Sequence, residues 1–102
     1  MSQLMTGSNT DLAGAAAEAE ARYVDANPES KRRHEAAAQH MPGGNTRTVL
    51  FYSPFPLVLK GGEGCRVEDV DGHGYTDYLG EYTAGLYGHS NPVLQAALHK
   101  AL

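Results

Sequence analysis

Asp69-Val-Asp71-Gly-His73-Gly74 is a run of potential metal ligands. An EF-hand loop needs oxygen ligands at its first, third and fifth positions, glycine at the sixth and a bidentate Glu at the twelfth. Here the sixth is Gly74, but the fifth is His73 and the twelfth is Gly80, with Glu81 one residue late. No helix precedes the run, so the residues favour a tight hairpin turn at Asp71-Gly72 over a calcium loop. The five histidines do not assemble a metal site by spacing. His34 and His40 are too far apart for one helical turn, His73, His89 and His99 fall in three different elements, and none has a paired spacing with cysteine or a carboxylate. Cys65 has no histidine or acid at a spacing that would activate it, and its position in an expected strand predicts a buried structural thiol. Ser53 and Ser90 lack the strand-turn-helix context of a nucleophile elbow.

Met41-Pro-Gly-Gly-Asn-Thr-Arg47 carries a different chemistry. A glycine-rich loop can approach a ligand closely, and the guanidinium at its end matches a carboxylate with two parallel hydrogen bonds. The residues alone leave both a surface arginine and a carboxylate clamp open, the surface arginine being the plainer reading.

The bulk properties bound what surrounds these groups. The chain has 102 residues, enough for one small domain, with a net charge of −4. That charge argues against nucleic acid, which needs a positive surface. The basic run Lys31-Arg32-Arg33 is flanked by Glu29 and Glu35 and reads as a solvated helix face. No apolar run approaches the length of a membrane span, and MSQLMTGSNT has no signal-peptide pattern. A single cysteine fits a reducing compartment.

Residues 1–10 are small and polar and are expected to be disordered. Asp11 is a good N-cap for the Ala- and Glu-rich LAGAAAEAEARYVDA. Asn27-Pro28 punctuates it and opens a second helix, from Pro28 to about His40, that Pro42-Gly43-Gly44 ends. VLFYSPFPLVLK is interrupted by Pro54 and Pro56, predicting an irregular approach and a strand near Leu57–Lys60. Residues 61–64 read as a turn, CRVEDV as a strand with Cys65 and Val67 on one face, and Tyr75–Leu79 as the returning strand. Asn91-Pro92 opens a final helix whose stripe of Val93, Leu94, Ala97, Leu98 and Ala101 demands a packing partner. So little apolar surface predicts a piece of a larger protein, or one that folds only with a partner.

The stretch from Met41 to Leu102 resembles the start of class III aminotransferases, the fold-type-I group that includes β-amino-acid aminotransferases and glutamate-1-semialdehyde aminomutase. MPGGNTR resembles the family's Pro-Gly-Gly loop. GEGCRVEDVDGHGYTDYLGEYTAG resembles its glycine, short strand, Asp-x-Asp-Gly and Tyr-x-Asp pattern, and LYGHSNPVLQAALHKAL its Gly-His-x-x-Pro helix opening. Order and spacing agree over about sixty residues. The upstream DANPESKRRHEAAAQHMPGGNTRTVLFYSPFP looks nearest to the β-amino-acid (β-phenylalanine-type) branch.

The resemblance implies an α/β fold, α+β for this stretch alone: a helical N-terminal arm over residues 11–42, then residues 43–102 as the short antiparallel strands and opening helix of a small domain. It implies a cytoplasmic homodimer that moves an amino group between an amino acid, including β-amino acids, and a keto acid through pyridoxal phosphate. Arg47 takes the substrate carboxylate by that resemblance, Tyr82 and Thr83 line the pocket, and Val49, Phe51 and Tyr52 supply apolar wall. The lysine that anchors the cofactor, the acid against its ring nitrogen and the phosphate loop all lie downstream in the family. Lys31, Lys60 and Lys100 lack their context, so these residues alone are expected neither to bind the cofactor nor to catalyse. An aminomutase segment and a non-catalytic module pairing with a larger subunit are the alternatives.

Overall fold

The computed structural model describes residues 11–102, as three α-helices and a three-stranded antiparallel sheet. The expected disordered tail, residues 1–10, lies outside the described residues. By contacts the chain divides into two compact units, one ending at Pro56 and the other running from Leu57 to Leu102.

In the first unit, α1 spans Leu12–Ala26 and α2 spans Pro28–Ala38. Asp11 caps α1 as its residue type predicts, its carboxylate accepting the N–H of Gly14 at 2.9 Å. The break between the helices falls at Asn27 (φ −128°, ψ 52°), because the ring of Pro28 disfavours a helical residue before it. Asn27 occupies the N-cap position of α2 but makes no side-chain cap there. Its Nδ2 instead turns back to donate to the carbonyl of Tyr23 at 2.9 Å, closing the end of α1. α2 ends at Ala38, two residues before the expected His40. Its surface is laced with ion pairs: Glu29 with Arg32 and Arg33, and Lys31 with Glu35. The basic run is therefore a solvated, internally neutralised face, and the two arginines pull the Glu29 carboxyl down to about 2.

Phe55 is the buried apolar residue among the described residues of this unit. Tyr23 holds it twice, by ring contact at 5.0 Å between centroids and by a hydroxyl donating to the Phe55 carbonyl at 2.6 Å. Those contacts tie the irregular Pro54–Pro56 approach to α1. The loop that ends α2 is tied to its own helix. Gly43 and Gly44 both adopt left-handed backbone (φ 69° and 71°), where a side chain is strained. The ring of His34 lies against Gly44 so closely that an added Cβ would sit 2.8 Å from its Cε1. The other side of that arrangement is Phe51, whose ring centroid is 5.8 Å from that of His34.

The second unit is the sheet β1 (Leu59–Glu63), β2 (Arg66–Asp69) and β3 (Gly74–Thr76), in that order, followed by α3 (Pro92–Ala101). Three expected boundaries shift. The first strand begins later than Leu57 and runs through the glycines 61–62 that had read as a turn, leaving the reversal to Gly64 and Cys65. Glycine weakens strands through entropy and missing side chains; here the close approach of another segment to Gly62, described below, requires it. The last strand is Gly74–Thr76, shorter than Tyr75–Leu79; beyond it the Asp77 N–H still donates to the Cys65 carbonyl at 2.7 Å, while the Asp77 carboxylate holds the next turn. Val67 is buried, as the alternation predicts, but Cys65 is exposed at the β-turn rather than buried in a strand. Asn91 caps α3, accepting from Val93 and Leu94 at 3.0 and 3.2 Å. The stripe of α3 is exposed, including Val93, Leu94 and Leu98, as expected for a face awaiting a partner.

The crowding at Gly44 makes a testable contrast. Gly43→Ala meets only the Asn45 side chain at 3.4 Å, whereas Gly44→Ala meets the His34 ring and backbone. Both carry the left-handed penalty of about 1–2 kcal/mol. Denaturant unfolding should show Gly44→Ala as the more damaging; equal losses would contradict the packing of this loop on His34.

Candidate functional site

The sequence-derived site residues fall in two loops, one in each unit. Arg47, Val49, Phe51 and Tyr52 lie on the loop that follows the Gly43-Gly44 turn. Arg47 is exposed, its carbonyl accepts the N–H of Leu50 at 3.0 Å, and its guanidinium has no partner among the described residues. Val49, Phe51 and Tyr52 are exposed around it. This is a cation and apolar groups presented outward from a loop whose root is fixed, by Gly44 on His34 and by Phe55 on Tyr23. An unpaired guanidinium on such a loop can take a carboxylate bidentately.

Tyr82 and Thr83 lie on the second loop, in the single turn Gly80–Thr83. All four residues of that turn have positive φ: 60°, 54°, 54° and 77°. Three of them are not glycine, and each pays about 1–2 kcal/mol for left-handed backbone. Such strain persists only where neighbouring groups over-determine it. Asp77 is the neighbour. Its Oδ1 accepts the N–H groups of Leu79 and Gly80 at 3.0 and 2.9 Å, and its Oδ2 receives Nε2 of His89 at 2.7 Å. The N–H of Gly80 first, then the His89 ring, hold the Asp77 carboxyl below its usual range. An ionised carboxylate only accepts, so Nε2 of His89 carries the hydrogen.

His89 is itself fixed to the sheet. Its backbone exchanges both hydrogen bonds with Gly64, at 3.0 and 2.8 Å, and the Ser90 hydroxyl donates to the Gly62 carbonyl at 2.6 Å. A Cβ on Gly62 would stand 3.0 Å from the His89 side chain. Gly62 and Gly64 are thus the landing place of the Gly88-His89-Ser90 segment. Tyr82 is 62% exposed at the end of this chain of contacts, so the strained turn presents it outward rather than burying it.

Sequence reasoning missed both histidine–carboxylate pairs. The Asp77–His89 partners are twelve residues apart in different loops, and no local spacing announces them. The grip of Asp77 on Leu79 and Gly80 is an Asx-type turn, which Asp77 followed by Leu79-Gly80 could have signalled. The other pair belongs to the hairpin. Asp69, fully buried, accepts from the N–H groups of Asp71 and His73, the Nδ1 of His73 and the hydroxyl of Tyr75, all at 2.8–2.9 Å. With four donors from the turn and from β3 on its two oxygens, Asp69 closes the tight hairpin turn that Asp71-Gly72 predicts. No cluster of three metal-ligating side chains occurs among the described residues.

No family model matches the sequence. Individual relatives do. The β-phenylalanine transaminase of Variovorax paradoxus is 53% identical over 88 residues, covering 86% of this chain and 20% of that protein. The crystal structure of a β-phenylalanine aminotransferase from the same organism superposes with a TM-score of 0.82. The chain carries a segment of the class III aminotransferase family. An uncharacterized aminotransferase of Schizosaccharomyces pombe is 50% identical over 94 residues, 92% of this chain and 22% of the relative. A solved transaminase with PLP bound is 37% identical with a TM-score of 0.70, covering 74% of this chain and 18% of its own. The chain thus spans about a fifth of the length of the relatives it matches.

Lys31 is paired with Glu35, Lys60 with Glu68 at 2.9 Å, and Lys100 stands on the exposed last turn of α3. No helix among the described residues is long and apolar enough to cross a membrane.

Acid titration tests the hairpin. Burial pushes the Asp69 carboxyl up, but the donors from His73, Tyr75 and Asp71 outweigh it and bring it from 3.8 to about 2. A carboxyl lowered in the folded state contributes stability fully present above its unfolded value and lost as pH falls through the folded one. Thermal unfolding of the wild type should therefore weaken from pH near 4 to near 2. Asp69→Asn should be less stable at pH 7 by about 1–3 kcal/mol and show a flatter acid limb; parallel pH curves would contradict the network.

Proposed function

We propose that this chain forms the carboxylate-recognising part of a pyridoxal-phosphate-dependent aminotransferase that moves an amino group between an amino acid, including β-amino acids, and a keto acid. The observation that carries the reading is Arg47: an exposed guanidinium without a partner among the described residues, on a loop anchored by Gly44 and His34, in a chain 53% identical to a β-phenylalanine transaminase over 88 residues. The reading gives Arg47 the substrate carboxylate, Val49, Phe51 and Tyr52 the apolar wall, and Tyr82 and Thr83 a place in the pocket lining.

In the complete enzyme, bound pyridoxal phosphate supplies the electron sink that lets the amino group leave its carbon. This chain's residues bind and orient. A bidentate guanidinium fixes both position and rotation of a carboxylate, which removes entropy from the reaction before chemistry begins. Residues 11–42 serve as the arm and 43–102 as the beginning of the small domain, in a cytoplasmic homodimer whose second subunit and remaining chain cover the exposed apolar faces. Leu12, Val93, Leu94 and Leu98, all exposed, support such covering.

The test uses a holoenzyme in which this chain replaces the matching residues of the Variovorax paradoxus transaminase. It should transaminate β-phenylalanine. Arg47→Ala should lower kcat/KM for that substrate about tenfold to a hundredfold, the loss of a charge-assisted hydrogen bond, and barely change it for the corresponding amine lacking the carboxylate. Equal losses on both substrates would overturn the role of Arg47.

A further inference from the structure

We infer that Asp77 and His89 are positioning residues that set the strained turn carrying Tyr82 and Thr83, so that side-chain recognition of the substrate depends on a histidine that touches no substrate. The inference rests on the pocket-lining role proposed for Tyr82 and Thr83.

The geometry is a relay of short contacts, beside which Nδ1 of His89 stands 4.0 Å from a carboxylate oxygen of Glu81 in the turn itself. Gly62 and Gly64 of the sheet hold the backbone of His89 and the hydroxyl of Ser90. The His89 ring, 21% exposed, gives Nε2–H to Oδ2 of Asp77, which is 17% exposed. The other oxygen of Asp77 takes the N–H groups of Leu79 and Gly80, the two residues that lead into the left-handed turn. Backbone closure of the turn then rests on Ala84 and Gly85, whose N–H groups donate to Glu81 and Gly80 at 3.1 and 3.2 Å. No large apolar side chain of the turn is buried to replace this grip: Leu79, Tyr82 and Leu86 are all exposed. Without the His89 donor, Oδ2 loses that partner and Oδ1 alone holds the Asp77 carboxylate on the two amides, which loosens the grip. The turn then relaxes toward right-handed backbone, which moves Tyr82 and Thr83.

A group that merely held the fold would lower the amount of folded enzyme and leave KM alone. A positioning group changes the substrate term. In the holoenzyme defined above, His89→Phe removes the donor, while His89→Gln keeps an amide N–H near the place of Nε2. His89→Phe should raise KM for β-phenylalanine about tenfold with kcat per folded, cofactor-loaded subunit changed less than about threefold. His89→Gln should restore KM to within about threefold. Hydrogen exchange should show the amides of Leu79 and Gly80 losing protection in His89→Phe and regaining it in His89→Gln.

Unchanged KM in a well-folded His89→Phe holoenzyme would overturn the inference, as would equal defects in the Phe and Gln variants. Tyr82→Ala separates the two levels. If Tyr82→Ala raises KM and His89→Phe does not, the pocket role stands and the positioning role falls. If Tyr82→Ala leaves KM unchanged, the pocket role falls and the inference falls with it.

Discussion

In this chain, carboxylates stand where an apolar core ordinarily stands. Phe55 and Val67 are the buried apolar residues among those described, while Leu12 of α1, Leu59 of β1 and Val93, Leu94 and Leu98 of α3 lie exposed. Burial at roughly 25 cal/mol per Å² cannot order loops on so small a base. Several turns and helix starts are set by a polar side chain that accepts backbone N–H groups: Asp11 for α1, Asn91 for α3, Asp69 for the hairpin, Asp77 for the left-handed turn. A carboxylate offers several acceptor directions, so one residue can fix a whole turn, and leaving such a group unpaired when buried is expensive.

That constraint explains the glycines. Glycine stands where two segments must meet without a side chain between them: Gly44 beneath the His34 ring, Gly62 beneath His89, and Gly88 against Gly64. These contacts do for the loops what packing would do in a larger core. They fix the roots of the Arg47 loop and of the Tyr82 turn while leaving the outward-facing side chains open to a ligand. Firm roots and open tips are what a binding surface requires.

Much of the fold is legible in the sequence because its determinants are local. Caps at Asp11 and Asn91, proline at Pro28 and Pro92 and the Asp71-Gly72 reversal act over a few residues, and the elements form where they predict. What escaped the sequence is what depends on distant partners. Glycines 61–62 read as a turn, yet they form a strand because β2 pairs with them, and His89 and Ser90 contact Gly62. Cys65 read as buried, yet it is exposed because the reversal falls on it. Asn27 read as a forward cap, yet its amide serves the helix behind it. The His89–Asp77 contact has no signature short of the fold itself.

The candidate site was legible to a similar degree. Arg47 stands out by residue type and by the double glycine before it, and its guanidinium has no partner among the described residues. The left-handed conformation of Glu81, Tyr82 and Thr83 does not show in their residue types, which disfavour it. The central claim is that Arg47 holds the substrate carboxylate. A crystal structure of the holoenzyme carrying this chain, with an unreactive β-amino-acid analogue bound, tests it most directly. The account predicts two parallel contacts of about 2.7–2.9 Å between the Arg47 guanidinium and the carboxylate. A carboxylate held elsewhere, with Arg47 extended into solvent, would contradict it.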